Sequence, residues 1–299
     1  VTDLAFYLGQ AFNGLSVAGI LLLAALGLSL SFGLMRVINL AHGELLMLGG
    51  YVAYLAEQAV PGDSGFLAAL PLAFLAAALL GGLLYQAVIR RLEGRPLDTL
   101  LATFGVSLML QQLARSTFGA TGVEAIAPAA LQGAWTFSGA LEGLSISALR
   151  LFIIMLAAVT LVAVGFFLRR TKLGREVRAV QQDRDMALAL GIDADRVNRA
   201  VFALGAGVAG LAGACLALLA PVTPTVGMSY VVDAFLVVIV GGVGSIVGAA
   251  LAAMGVGGLS AAAQAFTSAS LAKAFLLAVT IILLQWKPRG LLPQDTREG

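Results

Sequence analysis

The chain has 299 residues, 60% of them hydrophobic, with 18 Lys and Arg against 16 Asp and Glu for a formal net charge of +2. Charged residues make up 11% of the sequence, where an ordinary soluble domain carries roughly 25%, and the mean hydropathy is +0.98. These values exclude a soluble globular enzyme, a disordered chain and a nucleic-acid binder, and point to an integral membrane protein.

A bilayer span needs about 20 mainly apolar residues. Such stretches occupy approximately 14–35, 45–60, 66–89, 98–118, 150–168, 200–220 and 271–286, while 230–267 accommodates either one span or a short span followed by a full one. The polar-in, apolar-out alternation of a membrane barrel is absent. The expected fold is therefore an all-α polytopic bundle of eight or nine transmembrane helices, with a broken helix among them, in a single membrane domain over 1–299.

Orientation follows from Lys and Arg in the short loops. Arg90, Arg91 and Arg95 mark one basic loop, 169–199 a second, and Lys287, Arg289 and Arg297 a basic tail. By contrast, 119–149 holds no Lys or Arg, only Glu124 and Glu142, with Trp135 suited to a membrane interface. The basic regions face the cytoplasm and 119–149 faces outward. With 200–220 ending outside and the tail inside, 230–286 crosses an odd number of times. Three crossings fit only where Val231–Gly242 is half-length or broken, a form common where a pathway is built. Nine spans with an outside N-terminus is the preferred arrangement.

Five features are chemically unusual. In Val37-Ile-Asn-Leu-Ala-His-Gly-Glu-Leu-Leu-Met-Leu-Gly-Gly50, the polar Asn39, His42 and Glu44 sit between apolar runs, just after Arg36. They read either as pathway-lining groups at a helix break or as a cytoplasmic turn in which Asn39 caps a helix and Glu44 favours its positive end. Asp233 lies in the apolar run 230–242, where a carboxylate at membrane depth faces a partner or water. It serves a pathway, a structural pair or an interface, while Lys273 reads as an interfacial residue whose stem lies along apolar surface. Small residues recur every four positions at Gly205, Ala209 and Gly213, at Ala206, Gly210 and Ala214, and at Gly244 and Gly248, stripes that let helices approach closely. In 169–199, Asp183 or Asp185 is placed to cap a short helix through Met186–Leu190, with Gly191 ending it and Asp193 starting the next. That punctuated basic loop is a docking element or an ordinary solvated loop. Finally, Leu48-Gly49-Gly50 and Val240-Gly241-Gly242 echo one another, as duplicated transporter halves do.

The rest of the inventory excludes chemistry. A single cysteine, Cys215, permits no intrachain disulfide, and a single histidine, His42, offers no Cys/His spacing for zinc. No Walker A pattern occurs, so ATP hydrolysis by this chain is not expected. No basic region precedes the first apolar stretch, so nothing reads as a cleaved signal peptide.

Ile38-Asn-Leu-Ala-His-Gly-Glu44, the loop with Ala187 and Gly191-Ile192, the run Val240-Gly-Gly-Val-Gly-Ser245, and Lys287-Pro-Arg-Gly-Leu291 together resemble, in order and over nearly the whole chain, bacterial ABC-importer permeases of the branched-chain amino acid type. Within that family, Asn13-Gly-Leu-Ser16, Leu22-Leu-Ala-Ala-Leu-Gly27 and Ala41-His-Gly-Glu-Leu-Leu46 look closer to the urea-transporter permease. The resemblance implies a multi-pass subunit of the bacterial inner membrane that binds no cofactor itself. A second homologous permease, two cytoplasmic ATP-binding subunits that use the ATP, and a soluble substrate-binding protein would complete the importer. By similarity, Asp183–Ile192 is the coupling loop, with Asp183, Arg184, Asp185, Ala187 and Gly191 toward the ATPase. The Glu-Ala-Ala wording of the general ABC-permease loop is absent.

The resulting expectation is a non-enzymatic permease that moves urea or a related small amide inward past Asn39, His42, Glu44 and Asp233. Branched-chain amino acids are the alternative cargo. A zwitterion favours a paired cation and anion in the pathway, and few basic residues lie within the spans, although backbone dipoles at broken helices can replace them. The rival class is a self-sufficient carrier or channel, which moves solute when reconstituted alone; Glu44 and Asp233 would be its ionisable relay.

Overall fold

The computed structural model describes residues 2–35, 37–60, 62–137 and 144–292. Arg36, Glu142 and Arg297, used above in reading orientation, lie outside the described residues. The helices follow the apolar runs: α1 (Thr2–Met35), α2 (His42–Ala59), α3 (Asp63–Ala87), α4 (Pro96–Phe118), α5 (Ala148–Arg170), α6 (Lys172–Gln182), α7 (Arg184–Ala189), α8 (Ala194–Ala217), α9 (Val226–Gly241), α10 (Ile246–Phe266) and α11 (Ala269–Trp286). The only paired strands among the described residues are β1 (Ala134–Thr136) and β2 (Ser145–Ser147), an antiparallel pair with Trp135 opposite Ile146.

Seven of these helices, α1, α3, α4, α5, α8, α10 and α11, are long and apolar enough to cross a membrane. The chain is an all-α polytopic membrane protein. Its first helix starts at Thr2, well before the expected start near 14, because Leu4, Phe6, Tyr7 and Leu8 extend the apolar run with exposed side chains. In 230–267, the sequence Gly242-Val-Gly-Ser245 separates α9 from α10. Gly242 and Gly244 have φ of 99° and 78° there, a left-handed backbone that breaks the helix and that glycine tolerates.

Helices α2 and α9, of 18 and 16 residues, are each entered from a segment that turns back into the bundle. The first descends as α1 to the basic face and returns through 37–41 before α2 begins; the second returns from the opposite face through 218–225 before α9 begins. His42, which opens α2, lies beside Ala24 of α1, eleven residues and so roughly 16 Å above the end of α1. At the start of α9, a Cβ on Gly227 would lie 2.5 Å from the Gly43 carbonyl carbon. The two helix N-termini thus abut deep in the bundle and run apart toward opposite faces. Counted with the seven long apolar helices, α2 and α9 accord with the expected eight or nine crossings.

The halves α1–α4 and α8–α11 mirror each other in reversed orientation: α1 packs on α10 as α8 packs on α3, and α1 and α8 pack together at the centre. The duplication runs in a different register from the glycine echo noted in the sequence. Gly43 and Gly227 are the second residues of their helices, so Gly49 and Gly50 fall within α2 whereas Gly241 closes α9. The central helices are the buried ones, with 78% of the apolar window of both α1 and α8 inside the bundle, against 22% for α4 and 17% for α11.

Candidate functional site

The 37–44 segment is drawn into the bundle, away from the cytoplasmic surface. Asn39, His42 and Glu44 are all buried. The Asn39 Oδ1 accepts from the Ala41 amide at 3.0 Å, which shapes the turn into α2, and its Nδ2 has no partner. Asn39 therefore supports the turn without capping α2, whose N-cap residue is Ala41. The His42 ring donates from Nε2 to the Ala24 carbonyl at 3.1 Å. The ring thus adds a second donor to a carbonyl already within the α1 ladder, at the place where Gly27 lets α1 approach it.

Glu44 is the centre of this region. Its Oε1 accepts from Ser107 Oγ at 2.8 Å and from Gln111 Nε2 at 2.8 Å, both on α4. Its Oε2 is buried without a partner, and no cation pairs with it among the described residues. Compensation comes instead from these neutral donors and from the positive end of α2, in whose first turn Glu44 lies. The abutting N-terminus of α9 adds a second dipole of the same sign. Beside Glu44, between α2 and α4, lies a cavity of about 240 Å³ walled by Leu48, Val52, Leu55, Leu110 and Leu113, with the Glu44 side chain buried behind that wall. Tyr51 lines the same cavity; it stacks on Phe118 at 4.2 Å, and its buried hydroxyl also lacks a partner. One carboxylate oxygen and one phenol hydroxyl are thus unpaired, both buried behind a mostly apolar wall.

Sequence reasoning missed the α4 contribution. Thr99, Thr103, Ser107 and Gln111 recur every four residues and so share one face. Thr103 accepts from the Leu40 amide at 3.2 Å, placing this polar stripe against the 37–44 segment. A polar stripe on a predicted span was the available signal.

Asp233 stands apart from this cluster, on α9. It pairs with Lys273 Nζ of α11 at 3.2 Å, and the same ammonium donates to the Ser229 carbonyl at 3.3 Å. Lys273 is therefore a paired residue and not a lone interfacial lysine, because the turn at 267–268 folds α11 back beside α9. The structure brings Asn39, His42 and Glu44 together and leaves Asp233 in a separate ion pair.

In the basic 169–199 segment, Thr171 caps α6, Asp183 caps α7 through the Met186 amide at 2.8 Å, and Asp193 caps α8 through the Arg196 amide at 3.1 Å. Asp183, not Asp185, is the cap. Gly191, at φ 81°, ends α7 while the Ile192 amide reaches back to the Ala187 carbonyl at 3.0 Å. Ala187 is buried, and Met186, Leu188 and Leu190 are exposed. Arg184 pairs with Glu93 at 2.8 Å, while Asp195 takes both Arg90 at 3.2 Å and the Tyr85 hydroxyl at 2.9 Å. The loop is thereby fastened to the cytoplasmic end of α3.

Close helix packing sits where the small residues recur. Gly205 lies against Gly27, Gly210 against Ala73, Gly213 against Leu46 and Gly248 against Gly241, each with no room for a Cβ. Gly244 departs from the stripe reading: it lies in the 242–245 turn, outside any helix, with Gly33 of α1 against its backbone. The run 240–245 also meets the 287–291 segment, as the Leu291 amide donates to the Val240 carbonyl at 2.8 Å.

These features define a polytopic membrane protein built from two inverted halves, with a polar cluster at the start of α2 and a punctuated basic loop over 169–199. Residues 10–284 match the family described as branched-chain amino acid transport system / permease component. The chain is 30% identical to the high-affinity branched-chain amino acid transport system permease protein LivH of Escherichia coli K12, over 96% of each chain. It is 29% identical to the permease protein BraD of Pseudomonas aeruginosa over 97% of each. The permease protein LivM of Salmonella typhimurium is 28% identical, over 92% of this chain and 68% of LivM. No solved structure matches. This chain belongs to the branched-chain amino acid transport permease family, and it is a multi-pass protein of the inner membrane.

Proposed function

We propose that this chain is the permease subunit of an ATP-driven importer of branched-chain amino acids, working with a second homologous permease, two ATP-binding subunits and a soluble substrate-binding protein. The family match over 10–284 carries this reading. The comparisons favour amino acids over the urea cargo that short motifs favoured, since the relatives named above are permeases of branched-chain amino acid systems. ATP binding is assigned to the partners because no Walker A pattern occurs in this sequence.

Uptake of labelled leucine and urea, in cells carrying the complete system and in cells lacking this chain, tests the reading. Leucine uptake that depends on this chain and on ATP is the expected result; chain-dependent urea uptake without leucine uptake overturns the cargo. Solute movement by the purified chain alone in liposomes overturns the importer reading in favour of a carrier or channel. Coupling is tested separately. Gly191→Pro, or charge reversal at Arg184 and Asp185 together, is expected to leave membrane insertion intact and abolish stimulation of the partner ATPase. Proline has no place at φ 81°, and normal coupling in these variants overturns the docking assignment.

A further inference from the structure

A second and larger cavity, of about 630 Å³, opens at the cytoplasmic ends of α1, α5, α6 and α10, apart from the α2–α4 cavity. Its lining includes three arginines, Arg169, Arg170 and Arg178, and no aspartate or glutamate. Arg178 donates to the Leu168 carbonyl. Arg169 and Arg170 have no carboxylate partner among the described residues. Below the arginines the wall turns apolar: Val162, Phe166 and Val247 are lining residues and are highly exposed. On the floor, Ser29 is 1% exposed and its Oγ has no partner. Gly165 lies in the same lining, and a Cβ there would meet nothing within 4 Å. The groove therefore presents cations at the level of the cytoplasmic interface and an aliphatic channel directly beneath them.

We propose that this groove binds an anionic phospholipid of the cytoplasmic leaflet, its phosphate on Arg169 and Arg170 and one acyl chain along Val162, Phe166 and Val247. Unpaired arginines near the cytoplasmic surface attract anionic headgroups, and the guanidinium fork matches phosphate oxygens. The apolar wall distinguishes a lipid from a free phosphate ion, which needs only the arginines. Since α5 and α6 lead into the α7 loop, a lipid seated here braces the connection between the bundle and that loop.

Native mass spectrometry of the full chain in detergent, with phosphatidylglycerol and phosphatidylcholine at equal concentration, tests the site. The expected result is a retained phosphatidylglycerol adduct that falls by about 30-fold in Arg169→Gln/Arg170→Gln, the loss of two arginines at an anionic headgroup. Gly165→Phe keeps every arginine but fills the channel, and is expected to remove the adduct as well. Millimolar inorganic phosphate is expected to leave the adduct in place. Equal retention of the two lipids, undiminished binding in either variant, or displacement by inorganic phosphate each overturns the proposal.

Discussion

The two halves of the bundle hold their carboxylates differently. Each half has a helix entered from a returning segment, α2 or α9, and each of these helices directs a carboxylate toward the last helix of its own half. Asp233 meets a cation there, Lys273 at 3.2 Å. Glu44 meets only Ser107 and Gln111, and one of its oxygens is left unpaired. An ion pair between α9 and α11 fixes those helices to each other, and the group's charge is already answered. A carboxylate held by neutral donors and helix dipoles leaves its charge without a counter-ion inside the bundle. The lesson is that the inverted architecture supplies two similar frames, one closed by a salt bridge and one left open, with an unpaired carboxylate oxygen.

The largest expected effect is on transport through the open frame. Glu44→Leu is expected to lower uptake by the complete system at least about tenfold, whereas the paired change Asp233→Asn/Lys273→Met keeps uptake within about threefold. Labelled-solute uptake normalised to membrane-inserted protein reads both, and equal losses would erase the proposed difference between the halves. Next in size is the Glu44 support itself. Gln111→Leu removes a hydrogen bond to a carboxylate and is expected to cost about 1.5–3 kcal/mol of stability, seen as a lowered midpoint of thermal unfolding in detergent. In the closed frame, Lys273→Met strands a half-buried carboxylate and is expected to cost about 1–3 kcal/mol. Adding Asp233→Asn should recover most of that loss, and a double variant as unstable as the sum of the singles would show that the pair does not couple. The smallest effect belongs to the cytoplasmic surface: Arg184→Gln is expected to cost less than about 1 kcal/mol, because Arg184 and Glu93 are both partly exposed.

Much of this was legible in the sequence. Apolar runs of span length pointed to an all-α polytopic bundle of eight or nine helices, because each run must bury its own backbone hydrogen bonds in lipid. The sequence left 230–267 as either one span or a short span followed by a full one, and the structure places the shorter α9 ahead of α10 there. The caps around 183–193 were largely readable because a cap is a contact between residues three apart, though the choice between Asp183 and Asp185 was not. By contrast, α4 read as an ordinary span, and its meeting with Glu44 joins residues more than 60 positions apart.

Sequence by itself determined that this is a helical membrane protein, where the chain breaks and which polar residues are anomalous in an apolar setting. These are local properties of composition and periodicity. Only the tertiary structure decided what the anomalous residues meet: that Glu44 is answered by neutral donors and Asp233 by a lysine, that the starts of α2 and α9 abut through Gly43 and Gly227, and that three arginines roof an apolar groove. The reason is physical. A helix fixes which residues share a face, but the partner of that face is chosen by how helices distant in sequence pack, and close approach between glycine backbones sets that packing.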